Sequence, residues 1–197
     1  MTIEVGSIFP LYTLHINTFE KYTKEEFSLF LHLDENTLFL SLGREAFSII
    51  ARNHSTNKKV LLPMYTCQTV GDPFVELGWE LDTYSIDVNL RINVRSLKKK
   101  LQSFKPGIVA FHPYYGTSFT QYEMEVIREI RSSGVIVVAD YTQSIYCKEH
   151  VDHADYVVGS LRKWFDSPDG GYIYSRCQDM SAYGSLSENM PFVMSQI

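Results

Sequence analysis

The sequence predicts an α/β protein of three layers, in which a mostly parallel β-sheet lies between two layers of helices. Three observations predict it. Short apolar runs alternate with segments whose apolar residues recur at helical spacing, as in successive β-α-β units. The apolar runs are continuous, which is typical of strands that helices cover on both faces. The chain has 197 residues, 45% of them hydrophobic, which is enough to bury one core of this kind.

The first half of this alternation runs from residue 36 to residue 87. The stretch "NTLFLSLG" (36–43) predicts a strand, and residues 44–53 have the apolar spacing of a helix. The apolar run 58–63 ends at a proline, which indicates a short strand. Residues 69–78 predict a helix that ends at a glycine, and the alternating segment 79–87 predicts the next strand.

The second half continues the pattern to residue 175. An amphipathic helix is predicted over 93–104 and a buried strand over 107–113. A helix closed by glycine follows over 122–134, and "VIVVAD" (135–140) is the most apolar strand of the chain. Two further strands are predicted, at 155–160 and 170–175.

The chain is predicted to form one folded domain preceded by a short arm. Residues 1–35, rich in aromatic and acidic side chains, are expected to form an N-terminal arm or entry segment. Residues 36–197 contain no internal repeat and no evident linker, so they are expected to form a single domain.

Composition excludes several classes of function. The formal net charge of −5 argues against a nucleic-acid surface, and no apolar run reaches transmembrane length. The three cysteines are odd in number and widely spaced, and the N-terminus has no basic start, so we expect a cytoplasmic protein with reduced thiols. A nucleotide-binding domain is disfavoured because neither a GxGxxG nor a Walker loop occurs.

Ligands of open α/β sheets bind at the carboxyl ends of the strands, and one such end carries Asp140. A carboxylate after five apolar residues is costly to bury unless a partner favours its charged form. Asp140 is either a turn-capping residue or the partner of a cationic nitrogen on a ligand, and the sequence alone leaves both readings open.

Lys163 follows another strand, in "GSLRKWFDSPDGG" (159–171). A surface lysine is the common reading, but a lysine amine at a strand end can also form a Schiff base with an aldehyde cofactor. Pyridoxal 5′-phosphate (PLP) needs such a lysine, an acid at its pyridine nitrogen, and hydroxyl or N–H donors for its phosphate. Lys163, Asp140, Ser160 and the helix start at Gly43-Arg44 supply that set, on successive strand ends.

Three other features are expected to have structural roles. His112, in "FHPYYG" (111–116), is expected to be a structural histidine, although it is placed to approach a cofactor. Cys67 is expected to be a packed thiol rather than a nucleophile. The cluster "HVDHAD" (150–155) has metal-like spacing, but we expect a solvated loop there and no metal site.

The order of six motifs resembles the fold-type I PLP-dependent aminotransferases, and within them the DegT/DnrJ/EryC1 group of sugar aminotransferases. The motifs are "SLGREAF", "VLLPMYTC", "DVNLRINVRSLKKKL", "VAFHPYYG", "VVADYTQS" and "SLRKWFDSPDGG", and the resemblance covers roughly residues 36–175. The fold it implies is the large domain of a PLP-dependent transferase.

The resemblance implies roles for individual residues. Lys163 matches the Schiff-base lysine, and Asp140 matches the aspartate at the pyridine nitrogen. The other cofactor-binding positions are Gln143 near the ring hydroxyl, Gly43 and Arg44 in the phosphate loop, Ser160 at the phosphate, and Cys67 where many members stack an aromatic side chain. Arg44 departs from the pattern, because the usual residue there is small and carries a hydroxyl.

The resemblance also implies an activity. Members transfer an amino group, commonly from glutamate, to a keto-sugar nucleotide used in surface polysaccharide or related biosynthesis, and they act as homodimers. They continue into a C-terminal small domain, which we expect this chain to lack. The alternative is a weakly active or inert PLP-binding homologue that serves as an interaction or dimerisation protein.

Overall fold

The computed structural model of the protein describes residues 36–145, 147, 153–164, 170–176, 178–180 and 183. The N-terminal arm predicted over residues 1–35 lies outside this part. The described part contains one seven-stranded sheet and four α-helices. None of its helices is long and apolar enough to cross a lipid bilayer.

Strands and helices alternate along the chain as the sequence predicts. The strands are β1 Thr37–Leu40, β2 Lys59–Pro63, β3 Glu80–Tyr84, β4 Ile108–Phe111, β5 Ile136–Asp140, β6 Tyr156–Ser160 and β7 Gly171–Ser175. The helices are α1 Gly43–Asn53, α2 Gln68–Glu76, α3 Val94–Phe104 and α4 Gln121–Ser132. A single 3₁₀ turn, Leu161–Lys163, follows β6. Each predicted element is therefore confirmed, with ends that differ by up to three residues.

The sheet has the strand order β1-β7-β6-β5-β4-β2-β3. The pairs β2–β3, β2–β4, β4–β5 and β5–β6 are parallel, and β7 runs antiparallel between β6 and β1. β1 therefore points the same way as the parallel strands. The carboxyl ends of β1, β2, β4, β5 and β6 consequently meet at one edge of the sheet.

The sheet separates two hydrophobic cores. Alternate residues of a strand point to opposite faces, so Val109 and Val137 pack in one core while Ile108 and Val138 pack in the other. Helices α3 and α4 cover the first face, and α1 and α2 cover the second. The result is the predicted three-layer α/β/α architecture with a mostly parallel sheet.

Two glycines let the start of α1 lie directly on the sheet edge. A Cβ at Gly171 would lie 2.5 Å from the backbone N of Gly43, and a Cβ at Gly43 would lie 3.3 Å from the carbonyl oxygen of Gly159. Side chains at these positions would push α1 away from β6 and β7. Gly171 and Gly43 thus fix where the first turn of α1 lies.

Candidate functional site

A cleft of about 260 Å³ opens at the edge where the parallel strands end. The loops after β1, β2, β4, β5 and β6 all contribute to its wall. The strand order reverses between β2 and β4, which is the point where open α/β sheets leave a crevice for ligands. Topology therefore places the cleft where a ligand site is expected.

The structure brings all the sequence-predicted site residues to this cleft. The residues are Gly43, Arg44, Cys67, Asp140, Gln143, Ser160 and Lys163. They come from four separate segments, at the carboxyl ends of β1, β2, β5 and β6, so their meeting results from the fold and not from nearness in sequence.

Asp140 forms the buried floor of the cleft. Its Oδ2 lies 3.1 Å from Nδ1 of His112, and the two side chains are only 5% and 8% exposed. Its Oδ1 accepts a hydrogen bond of 2.9 Å from the backbone N–H of Thr142. Burial raises the pKa of Asp140, but the contacts with His112 and Thr142 outweigh it and hold the pKa below its ordinary value. Asp140 is thus both a turn-capping residue and a carboxylate held in its charged form.

His112 is a site residue that the sequence analysis did not assign. Its Nδ1–H faces Asp140, and its Nε2 lies 3.0 Å from the hydroxyl of Thr66 on the loop after β2. The side chain lines the cleft as well as supporting it. The sequence could have indicated this role by the same rule that indicated Asp140, namely that ligand-binding residues lie at the carboxyl ends of buried strands. His112 is a polar residue directly after the buried strand β4.

Lys163 lies at the end of the 3₁₀ turn after β6 and is exposed at the mouth of the cleft. Among the described side chains it has no carboxylate partner. Ser160, at the last position of β6, is buried, and its hydroxyl donates to the carbonyl of Gly170 at 3.4 Å. The tight turn carries the amine from the strand end out into the cleft.

The first turn of α1 presents N–H groups and a cation to the cleft. Glu45 accepts hydrogen bonds from the backbone N–H groups of Ser41 and Leu42, at 3.0 and 3.3 Å. The next two N–H groups, of Gly43 and Arg44, have no acceptor within the described part of the chain. The guanidinium of Arg44 is exposed beside them and has no described ion-pair partner. Free N–H groups at a helix start attract an anion.

The expectation that Cys67 is a packed thiol is wrong. Cys67 is exposed at the cleft wall, because the loop after β2 turns its side chain outward before α2 begins. A hydrogen bond from the Thr69 hydroxyl, at 3.0 Å, lowers the pKa of the thiol, and the positive charges of Lys163 and Arg44 lower it further. Cys67 therefore faces the same space as both cations.

The chain is similar in fold to solved structures of two aminotransferases and a serine palmitoyltransferase. The chain is similar to histidinol-phosphate aminotransferase from Clostridium acetobutylicum (TM-score 0.64, 13% identity), over 85% of this chain and 53% of that one. It is similar to an aminotransferase from Streptoalloteichus hindustanus (TM-score 0.65, 17% identity), over 82% and 46%. A serine palmitoyltransferase from S. paucimobilis, solved with bound PLP, also matches (TM-score 0.61, 17% identity), over 79% and 43%.

The chain has the fold of the PLP-dependent transferase large domain. It spans about half the length of the solved structures that it matches. The sequence matches no protein-family profile and no curated protein.

The residues of this large-domain cleft fit PLP. Oε1 of Gln143 is buried at the cleft wall without a hydrogen-bond donor among the described residues, so a hydroxyl group of a ligand would satisfy it. Among the described residues that line the cleft, Arg44 and Lys163 are cations with no described carboxylate partner, and Asp140 is the one carboxylate. A ligand with a phosphate group would balance that excess of positive charge.

The described residues of the "HVDHAD" segment do not line this cleft. Of its residues, the structure describes His153, Ala154 and Asp155. Both carboxylate oxygens of Asp155 are engaged, by Nε of Arg131 at 2.7 Å and by the backbone N–H of Val137 at 2.9 Å. The described residues contain no group of three or more side chains placed to hold a metal ion.

Proposed function

We propose that the chain binds PLP in the cleft and transfers an amino group from a donor such as glutamate to a keto-sugar nucleotide, for surface polysaccharide or related biosynthesis. The observation that carries the proposal is the meeting of Asp140 and Lys163 in one cleft, with an anion-attracting helix start at its wall. The sugar substrate and the donor rest on the sequence resemblance.

Each end of the cofactor has candidate partners in the cleft. Asp140 would lie at the pyridine nitrogen, Lys163 at the aldehyde, and Gln143 at the ring hydroxyl. Gly43, Arg44 and Ser160 would hold the phosphate through N–H, guanidinium and hydroxyl donors. Cys67 would contact the face of the ring. When bound, PLP supplies an electron sink for the pair of electrons left when a substrate C–H bond breaks.

The chain's own groups then control protons. His112 and the Thr142 N–H keep Asp140 ionised, so its carboxylate can hold a proton on a facing nitrogen. Nζ of Lys163 would remove the proton from the substrate carbon as a general base. It would then deliver that proton, as a general acid, to the carbon that carried the aldehyde of the cofactor. The amine stands at an exposed mouth, where a substrate can reach it.

Absorbance and chemical trapping test the proposal. PLP added to the purified protein should give a yellow band, and borohydride should fix the cofactor onto Lys163, as located by peptide mass spectrometry. Attachment at other lysines only, or no band, would contradict the proposal. In a separate sample that has not been treated with borohydride, glutamate should remove the band. A band that forms but survives glutamate would support the inert PLP-binding alternative.

Replacing Arg44 by alanine should weaken PLP binding by about tenfold, because one charge-assisted hydrogen bond to phosphate would be lost. The loss should shrink at high ionic strength, since the interaction of an exposed cation is screened. Arg52→Ala is the matched control, because Arg52 lies about 12 Å further along α1, in its last turn. Titration of the absorbance band at two salt concentrations measures the effect, and equal affinities of the two variants would contradict the role of Arg44.

The resemblance also supports a homodimer as the working assembly. Light scattering of the purified protein should give about twice the chain mass of 22.7 kDa. A mass of a single chain at concentrations where PLP binds would contradict it.

A further inference from the structure

Tyr115 holds an unusual backbone conformation at the rim of the cleft. Its φ is +48°, in the left-handed region that bulky side chains rarely adopt. The structure enforces it, because buried Ser144 donates to the carbonyl of Pro113 at 2.5 Å and accepts from the N–H of Gly116 at 2.9 Å. Such enforced strain often marks a functional position.

The left-handed turn lets two consecutive tyrosines reach the same residue. The buried Tyr114 donates its hydroxyl to the backbone carbonyl of Tyr65 at 2.6 Å. The exposed Tyr115 hydroxyl lies 2.8 Å from the Tyr65 hydroxyl. Adjacent side chains of an extended segment point to opposite sides, so this convergence depends on the turn at Tyr115.

Residue Tyr65 belongs to the loop 64–67, which we name the rim loop. Its next two residues, Thr66 and Cys67, line the cleft, and Thr66 contacts His112. The rim loop is thus fastened to the loop after β4 by three side-chain contacts: Tyr65–Tyr115, Tyr65–Tyr114 and Thr66–His112. The Tyr65–Tyr115 contact is the one that lies fully at the surface.

We propose that Tyr115 is a positioning residue, whose strained backbone holds its hydroxyl against Tyr65 and so fixes the rim loop with Thr66 and Cys67. An exposed hydroxyl pair formed by two freely moving side chains would compete poorly with water. Here one partner is held in place by its backbone, and the other is anchored through its carbonyl by Tyr114, so little side-chain freedom is lost when the pair forms.

The alkylation rate of Cys67 in the cofactor-free protein tests this directly. Tyr115→Phe removes one hydroxyl and should raise the rate at Cys67 by about threefold, because the thiol, although exposed, lies on the cleft wall and a looser rim loop gives the reagent wider access to it. Tyr65→Phe should do the same, and the double variant should match either single one, since both remove the same contact. The control is Tyr122→Phe, because Tyr122 is also exposed but lies in the first turn of α4.

A second variant separates positioning from stability. Glycine adopts a positive φ without strain, so Tyr115→Gly should leave the melting temperature equal or higher while Cys67 alkylation accelerates. A rate at Cys67 that is equal in the Tyr115, Tyr65 and Tyr122 variants would overturn the proposal, and so would additive effects in the double variant. Peptide mass spectrometry reads Cys67 separately from the other thiols.

The same variants should bind PLP about threefold more weakly, and this part alone rests on the proposed function. If the wild-type protein fails to bind PLP while the alkylation rates differ as expected, the proposed function fails and the positioning role of Tyr115 stands. If PLP binds and the alkylation rates are equal, the positioning role of Tyr115 is wrong and the proposed PLP binding stands.

Discussion

Replacing Lys163 by alanine should abolish the borohydride-stable attachment of PLP and slow the glutamate half-reaction by about a thousandfold. Lys163 would supply both the covalent anchor and the base that moves the substrate proton, and general acid-base catalysis alone contributes about 10²–10⁴-fold. Asp140, Gly43 and Arg44 remain in the variant, so PLP should still bind without attachment, with a higher dissociation constant. Peptide mass spectrometry and the rate of band loss with glutamate measure the two effects.

Two further variants sharpen this result. Lys163→Arg keeps the positive charge in the cleft but cannot attach the aldehyde, so it should bind PLP better than the alanine variant and still show no attachment. Lys98→Ala, on α3, removes a lysine whose nearest carboxylate is Glu129 at 3.7 Å and should behave as wild type. A small amine such as methylamine should restore part of the lost rate to Lys163→Ala. Unchanged attachment in Lys163→Ala would place the anchor at another lysine.

Most of the fold could be predicted because it depends on local patterns. Continuous apolar runs predicted the buried strands, and apolar residues at helical spacing predicted the helices that cover them. The antiparallel direction of β7 could also have been predicted. Residues 161–170 connect β6 to β7, and a parallel crossover needs about a dozen residues or more. The position of β1 beside β7 could not be predicted, because that pairing joins segments far apart in the chain.

The candidate site was predictable where its residues follow strands. Asp140 and Lys163 were found because a charged side chain directly after a buried strand is conspicuous. His112 satisfies the same rule, but a histidine is also a common structural residue, and only the 3.1 Å contact with Asp140 decides between the two readings. The exposure of Cys67 and the backbone of Tyr115 depend on how two loops meet, which local patterns do not encode.

The other large effect is expected at Asp140. Asp140→Asn should leave PLP attached to Lys163 but slow the glutamate half-reaction by about a hundredfold or more, because an amide cannot hold a proton on the pyridine nitrogen as a carboxylate does. Attachment at Lys163 should persist because that amine comes from a different loop. The variant would therefore separate cofactor binding from turnover, whereas Lys163→Ala would impair both.

The same substitution should change how stability depends on pH. A carboxyl group whose pKa is lower in the folded protein binds protons more tightly in the unfolded chain. Asp140 therefore stabilises the fold at pH values above its ordinary pKa of 3.8, and this contribution is lost as the pH falls from there through the lower pKa of the folded state. Asp140→Asn should remove this part of the acid sensitivity. Asparagine still offers an acceptor to Nδ1–H of His112, so the cost should be smaller than for Asp140→Ala, which leaves a buried donor unpaired at about 1–3 kcal/mol.

A second carboxylate with a lowered pKa provides the control that makes these results interpretable. Asp82, on β3 at the far edge of the sheet, lies 2.6 Å from Nζ of Lys100. Partial burial raises its pKa, but the contact with Lys100 outweighs it, so the pKa of Asp82 is also below its ordinary value. Asp82→Asn should therefore reduce acid sensitivity in urea unfolding followed against pH, yet leave the half-reaction unchanged. If both variants slow the half-reaction equally, the effect at Asp140 comes from lost stability, and its role at the pyridine nitrogen is wrong.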